Sequence, residues 1–188
     1  MALSLCGQPL WGQWAISAEV GSDRFWGGSI ERSSERRSFR PYRPTTFGAG
    51  LERQIGALAF GMRLRYASAT LALEGPDAVV AAKGIFTVYN ISPEVAYRIA
   101  SLRSVHPLVL HLGPMLEIWR ALAERSQTRL GVHGAVSLGV PLGGRLAGSI
   151  SIGAALIPSP FGPNQLNADF DRRALWRRRF AAGLKYRL

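Results

Sequence analysis

Large apolar side chains alternate with small ones along most of this chain, and this period of two constrains the fold more than any other feature. The alternation starts near Gln13 and recurs about eight times. In the clearest segment the large residues are Leu58, Phe60, Met62, Leu64 and Tyr66, and the residues between them are Ala59, Gly61, Arg63 and Arg65. Because successive side chains of a strand point to opposite faces, each segment is predicted to be a strand whose faces lie in different surroundings.

Composition argues against a helical membrane protein and favours strands. We find no run of about 20 apolar residues, the length that a membrane-spanning helix requires, since charged, Gly or Pro residues interrupt every candidate. The 21 Gly and 11 Pro residues suit strands and turns better than helix interiors. The 188 residues accommodate one domain, predicted over residues 11–188 after an N-terminal tail over residues 1–10.

The face opposite the large side chains decides between a soluble and a membrane barrel. In a soluble barrel that face would point to water and carry many Lys, Glu, Thr and Gln residues, whereas here it is mostly Gly, Ala and Ser with isolated charges. Small residues and paired charges suit the narrow lumen of an eight-stranded barrel. We therefore predict an all-β fold, a closed antiparallel up-and-down transmembrane β-barrel of eight strands whose aliphatic face contacts lipid. Ten strands are the alternative if the segment from Lys83 to Ile99 forms two strands.

The net charge of +11 is almost entirely guanidinium, because only Lys83 and Lys185 among the 23 basic residues are lysines. The arginines concentrate in separate segments rather than on one helix or one aromatic sheet, which argues against nucleic acid as the partner. Phosphate-bearing lipid fits well, since Arg binds phosphate through a bidentate fork. With both termini on the periplasmic side, the two longest predicted connections, Ser22 to Pro44 and Pro158 to Trp176, lie at the cell surface. Their predicted phosphate-binding residues are Arg32, Arg36, Arg37, Arg40, Arg43, Arg172 and Arg173.

Polar residues on the small face are predicted to form a network inside the lumen. Its members are Glu19, Glu52, Arg63, Arg65, Glu117, His133, Lys185 and Arg187. A hairpin centred near Arg125 would place Glu117 opposite His133, either as a buried structural pair or as an acid–base pair or gate, and we favour the structural interpretation. Ser137 lies about 13 Å along the strand from His133, too far for activation of a nucleophile. No catalytic residue, metal site or cofactor is expected.

The C-terminal segment from Ala181 to Leu188 resembles the assembly signal of outer-membrane barrel proteins, with matches at Gly183, Tyr186 and Leu188. The segments from His111 to Trp119 and from Gly131 to Arg145 look like generic small outer-membrane β-barrel proteins of Gram-negative bacteria. This resemblance implies a location in the bacterial outer membrane and the barrel-assembly machinery as a transient partner. It implies no catalytic set.

Three classes of function remain, in order of preference. The first is a non-enzymatic barrel whose Arg-rich surface loops bind outer-membrane lipid, in particular the phosphates of lipopolysaccharide, or a protein partner, in an envelope-structural or adhesive role. The second is transport of a small solute or anion through the lumen, because basic residues outnumber acidic ones in the predicted network. The third is a lipid-modifying enzyme. Outer-membrane lipid A deacylases use a Ser-His-Glu set that faces lipid, whereas the alternation points His111 and His133 into the lumen.

Overall fold

A computed structural model of the chain describes residues 13–27, 29–31, 38–42, 44–74, 79–102, 105–121, 126–159, 170–171 and 174–188. Within these ranges the chain forms eleven strands. They are β1 (Gln13–Gly27), β2 (Ser29–Glu31), β3 (Ser38–Tyr42), β4 (Thr45–Ile55), β5 (Leu58–Glu74), β6 (Val79–Leu102), β7 (His106–Ala121), β8 (Gln127–Gly143), β9 (Leu146–Ile157), β10 (Phe170–Asp171) and β11 (Leu175–Arg187). No described segment is a helix long and apolar enough to cross a membrane.

Eight of the described strands close into one antiparallel barrel. Around the barrel the order is β1, β4, β5, β6, β7, β8, β9 and β11, and β11 pairs with β1 to complete the ring. Closure satisfies the backbone hydrogen bonds that an open sheet would leave unpaired in hydrocarbon. The predicted fold class is confirmed. The ten-stranded alternative is wrong, because Lys83 and Ile99 lie on one continuous strand, β6.

The strands extend further at one end of the barrel than the alternation predicts. The segment after Ser22 was expected to be a connection, but β1 continues to Gly27. Beyond it, β3 pairs with the end of β5, β2 with β3 and β10 with β2. A β-bulge or irregularity interrupts the pairing of β5 with β6, since the register shifts between Ala69 and Leu71.

The barrel exposes its large apolar residues and buries its small and charged ones. On the outward face Phe60, Leu130 and Ile152 are 50%, 66% and 63% exposed, whereas the inward Glu94 and Glu117 are 7% and 0% exposed. This distribution is the reverse of that in a water-soluble protein, where charged side chains are on the surface. It suits a barrel surrounded by hydrocarbon and confirms the predicted assignment of the two faces.

Small residues on the inward face make room for ionic side chains at the centre of the lumen. Glu19 on β1 lies opposite Gly48 on β4 and Gly183 on β11. A Cβ atom on Gly48 would lie 2.7 Å from Glu19 Oε1, and one on Gly183 would lie 3.2 Å from Glu19 Cβ. Any larger side chain at these two positions would therefore compete with Glu19 for space.

Candidate functional site

An ion-pair cluster around Glu19 occupies the centre of the lumen. Glu19 Oε1 accepts hydrogen bonds from Arg65 Nε and Arg179 Nη2, both at 2.8 Å, and Oε2 accepts one from Arg63 Nη1 at 2.7 Å. Arg63 also donates to Glu94 Oε1 through its second terminal nitrogen. Charge-assisted bonds of this kind are strong and hold both partners in fixed positions. The cluster therefore links strands on opposite sides of the barrel and holds them in fixed positions.

A second set of ion pairs lies closer to the end of the barrel at which β1 finishes and β11 begins, which we call the upper end. The fully buried Glu117 accepts hydrogen bonds from Arg177 Nη1, from Asn90 Nδ2 at 3.3 Å and from Trp119 Nε1 at 3.1 Å. Arg177 Nη1 also lies 3.8 Å from the carboxylate of Asp23. Arg177 is thus held between two carboxylates.

The opposite end of the lumen, which we call the lower end, contains a cavity of about 90 Å³. Lys185 lines this lower cavity and donates to Glu52 Oε1 at 2.7 Å. Arg98 and Arg187 also line it, and both are exposed. The lower cavity therefore has a basic border at the end of the barrel that carries Gln13, the first residue of β1.

Acidic and basic side chains balance in the described ion pairs of the lumen. The five acidic residues are Glu19, Asp23, Glu52, Glu94 and Glu117, and the five basic ones are Arg63, Arg65, Arg177, Arg179 and Lys185. The predicted network also includes Arg187, which lines the lower cavity and is not among these pairs, so its excess of basic charge stays a prediction. Four members of the paired set, Asp23, Glu94, Arg177 and Arg179, are absent from the predicted network. Every second residue of a strand faces the same side. Steps of two from Glu19 reach Asp23, and steps of two from Lys185 reach Arg179 and Arg177, so three of the four could have been predicted.

The predicted pairing of Glu117 with His133 is wrong. In the β7–β8 register Glu117 lies opposite Arg129, and His133 lies opposite Gly113. Each described residue of β7 lies opposite a β8 residue four positions earlier than predicted. His133 remains inward and buried, and among the described residues its Nε2 atom has no hydrogen-bond partner.

Apolar side chains close the lumen at the upper end. Phe25 and Trp119 meet edge to face with their ring centroids 6.1 Å apart. Ala67, Val88 and Leu175 belong to the same buried cluster, and we call these five residues the upper plug. Each of them is at most 6% exposed. The described side chains at this end therefore pack against one another and do not line an opening.

Arginine and tryptophan residues face outward at the upper rim. Arg24 on β1 lies directly opposite Arg178 on β11, and the next outward pair along these strands is Trp26 with Trp176. All four side chains are exposed. The Arg178 guanidinium lies over the Trp26 ring, 4.8 Å from its centroid. We call these four residues the Arg–Trp rim, and its two like charges repel each other unless an anion lies between them.

Most of the loop arginines predicted to bind phosphate lie outside the described residues. They are Arg32, Arg36, Arg37, Arg43, Arg172 and Arg173. Arg40 lies on β3, where its backbone is paired with Ala72 of β5. Phosphate binding by these residues stays a prediction.

The residues of the predicted assembly signal lie at the C-terminal end of β11. Gly183 faces the lumen and Tyr186 faces outward. The backbone N–H of Leu188 donates to the Trp14 carbonyl oxygen at 2.9 Å, so the last residue is hydrogen bonded to the first barrel strand. This contact helps to close the ring, and recognition by the assembly machinery stays a prediction.

Comparison of the sequence with protein-family models and with curated proteins finds no match. Solved structures do match. Neisserial surface protein A is 12% identical, with a TM-score of 0.61 over 92% of this chain and 96% of that one. The outer membrane protein AlkL, solved in lipid bilayers, is 10% identical, with a TM-score of 0.59 over 100% of this chain and 95% of that one.

The attachment invasion locus protein Ail of Yersinia pestis, in complex with the heparin analogue sucrose octasulfate, is also similar. It is 14% identical, with a TM-score of 0.50 over 95% of this chain and 99% of that one. At such identities the likeness is one of fold, and this chain has the fold of small outer-membrane β-barrels. The fold and the apolar exterior together support the predicted location in a bacterial outer membrane.

Proposed function

We propose that this protein is an outer-membrane barrel with a closed lumen whose upper rim binds the phosphates of outer-leaflet lipid, in particular lipopolysaccharide. Its principal role is then structural or adhesive rather than catalytic or transporting. The observation that carries this proposal is the outward-facing pair of Arg24 and Arg178, directly opposite each other on neighbouring strands.

The position of this pair favours an anionic ligand over a protein side chain. Residues directly opposite on antiparallel strands have Cβ atoms about 4.5–5.5 Å apart, so one phosphate can accept hydrogen bonds from both guanidinium groups. Bound phosphate would remove the repulsion between the two arginines. Trp26 and Trp176, exposed beside them, are the residue type that concentrates at the boundary between hydrocarbon and headgroups.

The ligand of a similar barrel is consistent with this chemistry. Ail was solved in complex with sucrose octasulfate, a polyanion. A barrel of this fold can therefore present a surface that binds clustered anionic groups. For this chain we assign the corresponding chemistry to the Arg–Trp rim, with the predicted loop arginines as further donors.

The double variant Arg24→Gln/Arg178→Gln is expected to bind bisphosphorylated lipid A at least about tenfold more weakly than the unchanged protein, since hydrogen bonds to charged groups contribute about 1.5–3 kcal/mol each. Binding is measured with the protein and labelled lipid A in the same detergent micelles, with dephosphorylated lipid A as the second ligand.

The matched control for this experiment is Arg53→Gln at the lower rim. Arg53 lies over the Trp14 ring, 5.8 Å from its centroid, so it has the same kind of aromatic neighbour at the other end of the barrel. We expect this control to leave lipid A binding unchanged. Equal affinity of the unchanged protein for the phosphorylated and dephosphorylated lipids would refute the proposal.

The purified barrel is expected to show no steady conductance in planar lipid bilayers. The upper plug packs Phe25 against Trp119, and ion pairs cross the lumen below it. Single-channel recording in symmetric potassium chloride tests this expectation. Reproducible conductance steps would instead favour transport of a small ion through the lumen.

A further inference from the structure

Three inward side chains on neighbouring strands form a continuous hydrogen-bonded series. Ser137 Oγ on β8 lies 2.8 Å from His111 Nε2 on β7, and His111 Nδ1 lies 3.3 Å from Glu94 Oε1 on β6. A carboxylate can only accept a hydrogen bond, so the proton of the neutral imidazole belongs on Nδ1. The Nε2 lone pair is then free to accept the Ser137 hydroxyl proton.

The strand register explains why these residues meet. His111 lies opposite Ala96 of β6 and Ala135 of β8, so Glu94 and Ser137 are its diagonal neighbours on the same face. Diagonal neighbours in a sheet are about 7–8 Å apart, within reach of long side chains. Arg63 donates to the same Glu94 oxygen, and His111 is 5% exposed. The series is therefore fixed in place rather than formed by chance contact of mobile side chains.

Ser137 is also accessible from the lower end of the barrel. It lines both the lower cavity and a central cavity of about 40 Å³ that also contacts His111 and Glu94. Ser149 and Lys185 line both cavities as well, so the two spaces adjoin. A small molecule that enters the lower cavity can therefore reach the Ser137 oxygen. Lys185 lines both cavities, and its ammonium is one positive group there that can face a developing oxyanion.

We propose that Ser137 is an activated nucleophile that cleaves small carboxylic esters in the lumen, with His111 as general base and Glu94 as the positioning residue. The hydroxyl proton moves to His111 Nε2 while Ser137 Oγ bonds to the carbonyl carbon. The carbon–oxygen bond to the alcohol then breaks, and the alcohol leaves with the proton from His111. Water, deprotonated by His111, hydrolyses the acyl-serine and restores the hydroxyl. The narrow cavities restrict the acyl group to a short chain.

The test uses the full chain folded in detergent micelles and p-nitrophenyl acetate as the ester. We expect release of p-nitrophenolate and one acetyl group mapped to Ser137 by mass spectrometry after an acid quench. Ser137→Ala should abolish both, whereas Ser151→Ala, which removes the hydroxyl directly opposite on β9, should leave the rate unchanged. His111→Ala should slow acetylation at least about 100-fold, the usual contribution of a general base.

Two further readouts separate chemistry from loss of structure. Each variant is checked for its heat-dependent shift on an SDS gel, which reports a folded barrel, and Glu94→Gln should lower kcat with little change in KM. Mapping of the acetyl group in the unchanged protein does not depend on any variant folding. No acetylation, acetylation at Lys185 instead of Ser137, or equal rates for Ser137→Ala and Ser151→Ala would each overturn the proposal.

Discussion

Replacement of Glu19 by Gln is expected to lower the free energy of unfolding of the barrel by about 3–5 kcal/mol, the usual cost of removing one partner from a buried ion pair. Glu19 accepts hydrogen bonds from three guanidinium groups, those of Arg63, Arg65 and Arg179. The side chains of the four residues are between 8% and 14% exposed, so water cannot replace the lost charge. Gln keeps the shape of Glu, and the effect therefore reports the charge rather than a cavity.

Urea unfolding from phospholipid vesicles, followed by tryptophan fluorescence, measures this loss. Glu52→Gln is the matched control, because Glu52 pairs with Lys185, whose side chain is 31% exposed at the lower end. A pair of that exposure contributes about 1 kcal/mol or less. Similar losses for the two variants would mean that the cluster around Glu19 is hydrated and does not brace the barrel.

The alternation of side chains was sufficient to predict the barrel strands and the direction of most of their side chains. Hydrocarbon outside and a narrow lumen inside impose opposite requirements on adjacent residues, and each strand repeats this contrast. The tight turn between β8 and β9 also has a local cause in the sequence, because Gly143 and Gly144 adopt positive φ angles of 129° and 53°, which glycine tolerates best.

The register between β7 and β8 could not be predicted in the same way. Hairpin register depends on the turn, and residues 122–126 contain no Asn-Gly, Asp-Gly or similar signal to fix its centre. A shift of four positions leaves every side chain on its correct face, so the alternation cannot detect it. The error moved Glu117 next to His133, whereas Ser137 is a diagonal neighbour of His111 in either register.

The upper ends of β1 and β11 were missed for a different reason. There Arg24 and Arg178 face outward while Asp23 and Arg177 face inward, so both faces are polar and the apolar alternation disappears. The backbones of β1 and β11 remain paired in this region, so the strands continue although their side chains no longer alternate between an apolar and a small face. The same polarity makes the outward face of this region suitable for lipid headgroups.

Ile152→Arg is expected to lower the free energy of unfolding by about 2–4 kcal/mol, the cost of a basic residue on the lipid face near the middle of the bilayer. Ile152 is 63% exposed and lies near the middle of β9, between Val136 and Phe180 on the adjacent strands. On the surface of a soluble protein the same substitution would change stability by about 0.5 kcal/mol or less. The sign and size of the effect therefore distinguish lipid from water as the solvent of this face.

Leu146→Arg provides the control on the same strand and the same face. Leu146 is the first residue of β9, next to the turn at the lower end, where the penalty for a basic residue falls to about 0–1 kcal/mol. Both variants are unfolded from vesicles under identical conditions. We expect the loss of unfolding free energy to be larger for Ile152→Arg than for Leu146→Arg, because Ile152 lies deeper in the hydrocarbon. If both variants were as stable as the unchanged protein, the aliphatic face would have to contact water. The assignment of the aliphatic side chains to lipid and of the small and charged ones to the lumen would then be wrong.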